Sequence, residues 1–218
     1  MANELANAAT VVTGAAAARF DRAIARFDAA NAEDPNHETV GDRDRPKELV
    51  YAERLSAMLA RFAPDASEVV RLAVRSQHIQ RWKIARTEYP MDRIGYLQWR
   101  KRLYKFHAQL AGEILREVGY DEATIGRVGT LLKKEALKSD PEVQILEDVV
   151  DLVFLESYLA DFVARHGQYD AAKFTDILAK TAKKMSPRGR EAAVTLIDAP
   201  GELAPLIRSV MEGAAALP

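Results

Sequence analysis

The stretch EVQILEDVVDLVFLE, residues 142–156, decides the fold class of this chain of 218 residues. Its apolar residues wrap almost completely around an α-helix, and a helix that is apolar on all sides is buried. Glu147, Asp148 and Asp151 interrupt this surface, so we expect their carboxylates close to the interior. An unpaired carboxylate there is costly or stays protonated. These acids therefore need partners, which would be arginines, a histidine or a metal ion.

Helical periodicity also dominates the rest of the chain, and no convincing strand alternation is present. The sequence therefore predicts an all-α fold, a single compact bundle of about eight or nine helices. We expect residues 1–14 to form a flexible N-terminus, residues 15–198 the helical domain and residues 199–218 a C-terminal helical tail.

Capping residues predict where individual helices begin. Asp65 or Ser67 would start a helix that contains RLAVRSQHIQRWKIAR, residues 71–86. Later starts are predicted at Asp121, at Ser139 or Asp140 before Pro141, and at Ser186. The helix after Asp121 is expected to reach about residue 137, and the helix after Pro141 about residue 166. Residues 31–46 are polar and predict a loop.

Composition limits the possible functions. The 31 Lys and Arg residues and 32 Asp and Glu residues give a net charge of −1, which argues against a broad nucleic-acid-binding surface. RNA stays a possible partner that the net charge does not support. The absence of Cys excludes disulfides, thiolate metal sites and a cysteine nucleophile. No apolar run approaches the ~20 residues of a membrane span, so we expect a cytoplasmic protein without a membrane partner.

The basic stretch 71–86 is the first candidate site. If it is one helix, Arg71, Arg75, His78 and Trp82 share a face. The planar guanidinium of arginine suits carboxylate or phosphate groups, and histidine can bind a metal or move a proton. The alternative is a solvated cationic face with a hydrogen-bonded histidine.

Two further histidine or carboxylate positions are candidate ligands. His107 is followed by Ala111 and Gly112, small residues that permit close helix packing. It is therefore either a ligand or a hydrogen-bonded histidine at a helix interface. Glu48, near the predicted start of a helix, is a possible oxygen ligand.

Aromatic and basic residues alternate in YPMDRIGYLQWRKRLYKF, residues 89–106. Aromatic rings beside cations can stack on bases and hold phosphates, which makes Arg93 and Arg100 candidates for substrate binding. In the alternative interpretation, Trp99, Leu103 and Phe106 face the core and the cations face water.

Four phrases of the sequence, ELVYAERLSAML, RSQHIQRWKIAR, YPMDRIGYLQWR and LEDVVDLVFLE, together resemble a family of small proteins with no assigned function. The resemblance covers roughly residues 17–196. It implies little about activity, because the family is defined mainly by its sequence pattern.

A more distant similarity is to the HD-domain superfamily, which consists of all-helical metal-dependent phosphohydrolases. The segment HAQLAGEILREVGYDEATIGRV resembles one that carries an additional histidine in many members, and this resemblance places His107 there. Likewise VQILEDVVDL resembles the helix of the late aspartate, which places Asp148 there. Where the family has a His-Asp doublet this chain has Gln77-His78. The position of the first histidine falls near Lys47 and Glu48, where this chain has no histidine.

Three functions follow as hypotheses. The first is a metal-dependent hydrolase of a small phosphorylated or nucleotide-like substrate. Its divalent ion (Mn, Fe, Zn or Mg) would be held by Glu48, His78, His107 and Asp148, with His78, Asp148 and Glu147 as catalytic residues and Arg75, Arg81, Trp82, Arg93 and Arg100 as substrate-binding residues. The second is a degenerate HD-like fold that binds a nucleotide, RNA or another anion without catalysis. The third is an interaction protein in which the buried charges form structural ion pairs, for example between the arginines of 71–86 and the carboxylates of 142–166.

Overall fold

The computed structural model describes residues 2–167, 170–199, 201 and 203–215, with side chains from residue 14 to residue 214 within those ranges. The predicted all-α class is confirmed. The described residues form ten α-helices and one two-stranded hairpin, slightly more helices than expected. In chain order the helices are α1 (Ala2–Asn31), α2 (Lys47–Phe62), α3 (Glu68–Ser76), α4 (Arg93–Glu117), α5 (Glu122–Leu132), α6 (Pro141–Val153), α7 (Leu159–Arg165), α8 (Ala171–Lys184), α9 (Pro187–Thr195) and α10 (Ala204–Ala215).

The predicted helix starts are confirmed where capping residues indicated them. In each case the side chain of the residue before the helix accepts a hydrogen bond from a backbone N–H of the first turn. The helices that begin in this way are α3, α5, α6 and α9, capped by Ser67, Asp121, Asp140 and Ser186.

The expectation of a loop over residues 31–46 was wrong, because this segment contains an antiparallel hairpin. Its strands are β1 (His37–Val40) and β2 (Arg43–Pro46), joined by a two-residue turn that starts at Gly41. Gly41 has a φ of 59°, which glycine adopts without a Cβ clash. Strands of four mostly polar residues show no alternation of apolar side chains, so the sequence pattern does not reveal them.

The prediction of one helix through residues 71–86 was also wrong, because α3 ends at Ser76. Beyond it Gln80 takes a left-handed conformation with a φ of 49°. The backbone N–H of Gln80 donates to Asn31 Oδ1 at 2.9 Å, so a side chain at the end of α1 holds the chain out of the helix. His78 and Trp82 therefore do not continue the face of Arg71 and Arg75.

The two later helices also differ from their predicted lengths. The helix expected to reach about residue 137 ends at Leu132. Residues with positive φ follow it and break the helical path, namely Lys134, Ala136 and Lys138. The predicted helix over 141–166 consists of α6, a π-helical segment over Phe154–Tyr158 and α7.

The chain divides into two compact units. Unit 1 comprises residues 1–53 and 67–133, in which α3 and α4 pack against both α1 and α5. Its core contains Phe27, Leu72, Ile79, Leu115 and Leu131.

Unit 2 comprises residues 54–66 and 134–218. There α6 packs against α8 and α9, and α10 packs against the same two helices. The core of this unit contains Leu55, Leu146, Leu152, Leu178 and Ile207.

The predicted terminal segments fall partly within these units. The backbone is helical from Ala2 through the predicted flexible N-terminus, and α10 occupies most of the predicted C-terminal tail. Residues 1, 200, 202 and 216–218 lie outside the described part, so the predicted domain boundaries stay predictions. Among the helices described, none is long and apolar enough to cross a membrane.

Candidate functional site

Polar side chains collect inside unit 1, where contacts link the end of α1, the start of α2, the end of α3 and the middle of α4. All of them are buried except His78, which is half-buried. Hydrogen bonds, ring contacts and chain neighbours connect them. We refer to them as the polar cluster, which consists of Asn31, Asp34, Glu48, Gln77, His78, Gln80 and His107.

Glu48 lies in the first turn of α2, and Asp34 fixes it there. Asp34 Oδ2 accepts the backbone N–H of Glu48 at 3.0 Å, while its Oδ1 accepts the backbone N–H of Asn36 at 2.9 Å. The Oε2 atom of Glu48 lies 3.4 Å from His78 Nδ1 and has no hydrogen bond. Burial raises the pKa of Glu48 to about 7, although the positive charge of Arg81 opposes this rise. Glu48 can therefore exchange a proton near neutral pH.

His107 projects from the middle of α4 into the polar cluster. Its Nδ1 lies 2.9 Å from the carbonyl oxygen of Ile79, which can only accept, so Nδ1 carries the proton. The other nitrogen, Nε2, is then a lone-pair atom, and it is buried without a hydrogen-bond partner. Burial and then the charge of His78 lower the pKa of His107 to about 3, so the ring is neutral at physiological pH.

His78 connects Glu48 and His107. Its ring stacks on Tyr51 with a centroid distance of 4.3 Å and an interplanar angle of 12°. On the other side, the ring centroid of His107 is 5.8 Å away. The structure thus brings together three of the four residues predicted to hold a metal, namely Glu48, His78 and His107.

The polar cluster contains buried polar atoms that have no hydrogen-bond partner: Asn31 Nδ2, Glu48 Oε2, Gln77 Oε1 and His107 Nε2. Three of these four atoms offer an electron pair and no proton when Glu48 is ionised. Unsatisfied buried atoms are rare in folded proteins and indicate a water, an ion or a ligand. Within the described ranges, however, no group of three or more His, Asp or Glu side chains has the arrangement of a metal site.

The predicted substrate-binding residues that follow the cluster in the chain differ in environment. Arg81 is half-buried, and its guanidinium carbon lies 4.9 Å from the ring centroid of Trp99. Arg81 is also close enough to affect the pKa values of Glu48 and His107. Trp82 is half-buried and Arg93 is exposed.

Arg100 and Arg75 make contacts with other side chains. Arg100 lies over the rings of Tyr96 and Tyr104 and donates to the Tyr104 hydroxyl. Arg75 binds both carboxylate oxygens of Asp28 at 2.6 and 2.7 Å. The guanidinium of Arg75 thus has an ionic partner on α1 within unit 1. The pairing of the arginines of 71–86 with the α6 carboxylates stays a prediction.

The predicted acidic site residues of α6 lie in unit 2, where each has partners. Asp148 accepts hydrogen bonds from the backbone N–H and hydroxyl of Ser186, at 2.8 and 2.6 Å, and from Gln144 at 3.0 Å. A Cβ atom built on Gly189 would lie 2.5 Å from Asp148 Oδ1, so the carboxylate sits directly against the first turn of α9. Burial raises the pKa of Asp148, and the hydrogen bonds from Ser186 oppose the rise.

Glu147 and Asp151 form a buried ionic network with two lysines. Glu147 is paired with Lys134 and, at 3.1 Å, with Lys184, which also contacts Asp151 at 2.6 Å. Burial acts to raise the pKa of Glu147, but the two lysine charges outweigh it and hold this pKa well below its usual range. The sequence correctly indicated that these buried acids need partners, but the partners are lysines rather than arginines.

Sequence reasoning missed several residues of the polar cluster. Asn31, Asp34 and Gln80 are neutral or acidic residues near turns, where polar residues usually face water. The sequence singles out Gln77 only as part of Gln77-His78, which stands where the HD-domain superfamily has its His-Asp doublet. The available signal for Asp34 was its position in a polar segment just before α2, which is typical of a capping residue.

Comparisons with known proteins agree with the resemblance to a family without an assigned function. No curated protein and no solved structure matches the chain, so the similarity to the HD-domain superfamily stays a prediction. A family model described as a domain of unknown function, DUF4202, matches residues 21–207, from within α1 to the first turn of α10. The chain therefore belongs to the DUF4202 family.

Proposed function

We propose that the polar cluster is the active site of a metal-dependent hydrolase that acts on a small phosphorylated or nucleotide-like substrate. The observation that carries this proposal is the tautomer of His107 and the position of its free lone pair. Its tautomer is fixed by the Ile79 carbonyl, which leaves a neutral, buried Nε2 lone pair with no partner. Histidines that bind metals commonly donate their other ring N–H to a carbonyl or carboxylate in this way.

The chemistry of the donor atoms fits a divalent cation. Glu48 Oε2 and Gln77 Oε1 are buried and unsatisfied in the same cluster as His107 Nε2. These atoms are an imidazole nitrogen and two oxygens, and mixed imidazole and oxygen ligands suit several divalent ions. Glu48 and His107 would hold the ion, with His78 beside them. Asp148, which the sequence suggested as a further ligand, lies in unit 2, and its role is tested separately.

When bound, such an ion would supply Lewis acidity and a water of lowered pKa. The protein residues would supply proton transfer and charge. His78 is half-buried next to Glu48, so it is placed to accept or release a proton. Arg81, held against the face of Trp99, would neutralise the negative charge of a phosphoryl group. Trp82, Arg93 and Arg100 stay proposed substrate contacts.

The metal part is tested by elemental analysis of protein purified without chelator. We expect near-stoichiometric metal in the wild type and its loss in His107→Gln, because glutamine lacks the imidazole nitrogen. The matched control is His166→Gln, since His166 Nδ1 also contacts a backbone carbonyl, that of Phe162 at 2.8 Å. Wild-type protein that stays metal-free after incubation with Mn, Fe, Zn and Mg contradicts the proposal.

The role of Asp148 is measured separately in the same experiment. Asp148→Asn keeps the size of the side chain, and its amide oxygen can still accept a hydrogen bond from Ser186. Loss of metal from a variant that stays folded supports Asp148 as a ligand. Retention of metal assigns Asp148 to the structure of α9 and removes it from the ligand set. Phosphate release from nucleotides, compared between wild type, His78→Gln and Arg81→Gln, then tests the hydrolase.

A second candidate function is anion binding without hydrolysis, which the environment of Arg81 favours. This side chain affects the pKa values of both Glu48 and His107, so it carries positive charge to the cluster. A ligand at 100 times its dissociation constant stabilises a protein by about 2.7 kcal/mol. Thermal stabilisation by nucleotides in EDTA, lost in Arg81→Gln, would favour this function over the hydrolase.

A further inference from the structure

Large apolar side chains are exposed at the start of α4, where none of the described residues covers them. Within the described residues, the exposed large apolar side chains are Met91 (78%), just before the helix, and Ile94 (68%), Leu97 (48%) and Tyr96 (43%) in its first turns. Exposing large apolar side chains next to each other is unfavourable in water, so a group of them on one surface indicates an interaction site.

Lysines continue the same surface along the helix. Ile94, Leu97, Lys101 and Lys105 are separated by three, four and four residues, which places them on one face of α4. The lysines are exposed, whereas Trp99 and Leu103 on another face are buried in a cluster with Ile84. We call Met91, Ile94, Leu97, Lys101 and Lys105 the α4 surface.

The charge around this surface differs from that of the rest of the chain. Residues 81–105 contain eight Lys or Arg and two Asp or Glu, which gives +6. The whole chain carries −1, so the remaining residues carry −7. One of the two acids, Asp92, caps α4 through a hydrogen bond from the backbone N–H of Gly95 at 2.7 Å. A partner that covers the α4 surface therefore needs negative charge as well as apolar side chains.

We propose that the α4 surface binds an acidic segment of another protein, with large apolar side chains next to Ile94 and Leu97 and carboxylates next to Lys101 and Lys105. The position of the lysines favours a protein over a lipid surface. A helix that lies in a membrane interface has its charges on the face opposite to its apolar face. Here the charges and the apolar residues follow each other on one face. This order requires a partner whose apolar and acidic side chains are spaced to match it.

The same surface fits nucleic acid poorly. Bases stack on aromatic rings, but Met91, Ile94 and Leu97 are not aromatic, and Trp99 is buried in the core of unit 1. Tyr96 is aromatic and exposed, but it lies on a different face of α4 from Ile94 and Leu97. Contact with phosphates would use the lysines and leave the apolar side chains exposed to water. Both facts favour the acidic protein segment, because its apolar side chains would cover Ile94 and Leu97 while its carboxylates pair with the two lysines.

The test is a selection of random 16-residue peptides displayed on phage against the full-length protein. Peptides that also bind the Ile94→Ser/Leu97→Ser variant are removed by counter-selection. We expect the remaining peptides to combine Asp or Glu with Leu, Ile, Phe or Trp. Synthetic copies of the selected peptides should bind Ile94→Ser/Leu97→Ser about tenfold or more weakly than the wild type. Their affinity should also fall with Lys101→Glu/Lys105→Glu and with added salt.

The matched control is Lys173→Glu, a charge reversal at an exposed lysine of α8, which should leave the affinity unchanged. All substituted residues are exposed, so each variant should keep the wild-type melting temperature. Failure to obtain peptides that depend on Ile94 and Leu97, or enrichment of peptides without acidic residues, overturns the proposal.

Three parallel measurements separate other occupants of the surface. Binding to vesicles of phosphatidylcholine and phosphatidylserine, or to a single-stranded oligouridylate, that is lost in the same variants would replace the protein partner by a membrane or by RNA. A change from dimer to monomer in Ile94→Ser/Leu97→Ser, measured by sedimentation velocity, would make the occupant a second copy of this chain. Each of these results contradicts the proposed acidic segment.

Discussion

His107 donates its Nδ1 proton to the carbonyl oxygen of Ile79 across 2.9 Å, and this one hydrogen bond determines the chemical state of the whole ring. It places the remaining lone pair on Nε2, which faces no partner in the protein. The carbonyl is held by the turn at residues 76–80, so the end of α3 positions a side chain of α4. The polar cluster is therefore a tertiary arrangement, built from residues that are distant in the sequence.

The first prediction concerns the pH dependence of stability. The pKa of His107 is lowered from 6.5 to about 3 by burial, so the folded state favours the neutral ring. This stabilisation is present above pH 6.5 and is lost as the pH falls towards 3. For one such group the loss between pH 7.5 and pH 5 is up to about 2 kcal/mol. Urea denaturation in EDTA at both pH values should show a smaller decrease in His107→Gln than in the wild type.

The pKa shift of Glu48 changes the stability with pH in the direction opposite to that of His107. Burial raises the pKa of Glu48 to about 7, so its contribution is present below its usual value of 4.5 and is lost as the pH rises through 7. Glu48→Gln should therefore make the protein relatively more stable at pH 7.5 than at pH 5, compared with the wild type. An equal pH dependence in the wild type and both variants would show that neither group is buried as described.

The second prediction concerns the left-handed turn at Gln80. Its φ of 49° is unfavourable for most residues and most of all for β-branched ones. Gln80→Gly should therefore keep the free energy of unfolding within about 1 kcal/mol of the wild type, whereas Gln80→Val should lower it by about 1–3 kcal/mol. Equilibrium denaturation measures both values. If valine is tolerated as well as glycine, the turn is not left-handed in solution.

The third prediction compares two glycines in helices. A methyl group at Gly189 would meet the Asp148 carboxylate, whereas nothing lies within 4 Å of the Cβ position of Gly126. Gly189→Ala should therefore be destabilising, because the carboxylate must give up its hydrogen bonds with Ser186. Gly126→Ala should be stabilising by about 0.5–1 kcal/mol, because alanine has the higher helix propensity. Thermal denaturation should give melting temperatures that shift in opposite directions.

The fourth prediction concerns the buried ion pair of Lys134 and Glu147, whose side chains are 8% and 2% exposed. Lys134→Met removes the more buried of the two lysine partners of Glu147 and leaves the buried carboxylate with Lys184 alone, which should cost up to about 3–5 kcal/mol. The double variant Lys134→Met/Glu147→Leu removes both charges and should be more stable than Lys134→Met alone. Urea denaturation of the two single variants and the double variant measures this coupling, and additive effects would exclude it.

Lys138→Met is the control for the Lys134 prediction, because Lys138 also follows α5 and also has a positive φ. Its Nζ donates to the carbonyl oxygens of Lys184 and Met185 rather than to a buried acid. Its replacement should therefore cost no more than about 1–1.5 kcal/mol.

The sequence determined the parts of this protein that depend on neighbouring residues. Apolar spacing predicted the helical class, and a side chain next to the first turn predicted the starts of α3, α5, α6 and α9, because a cap lies in contact with the helix it begins. The near-complete apolar surface of α6 also showed that Glu147, Asp148 and Asp151 are buried and need partners, which the structure confirms.

Only the tertiary structure decided where helices end and which charges meet. α3 stops at Ser76 because Asn31, on another helix, takes the N–H of Gln80, and no local pattern contains that contact. Likewise, no local pattern predicts that Arg75 binds Asp28, which lies on α1. The polar cluster joins Asn31, Glu48 and His107, on three helices, with His78 in the turn after α3. Its chemistry depends on distances of about 3 Å that sequence spacing does not encode.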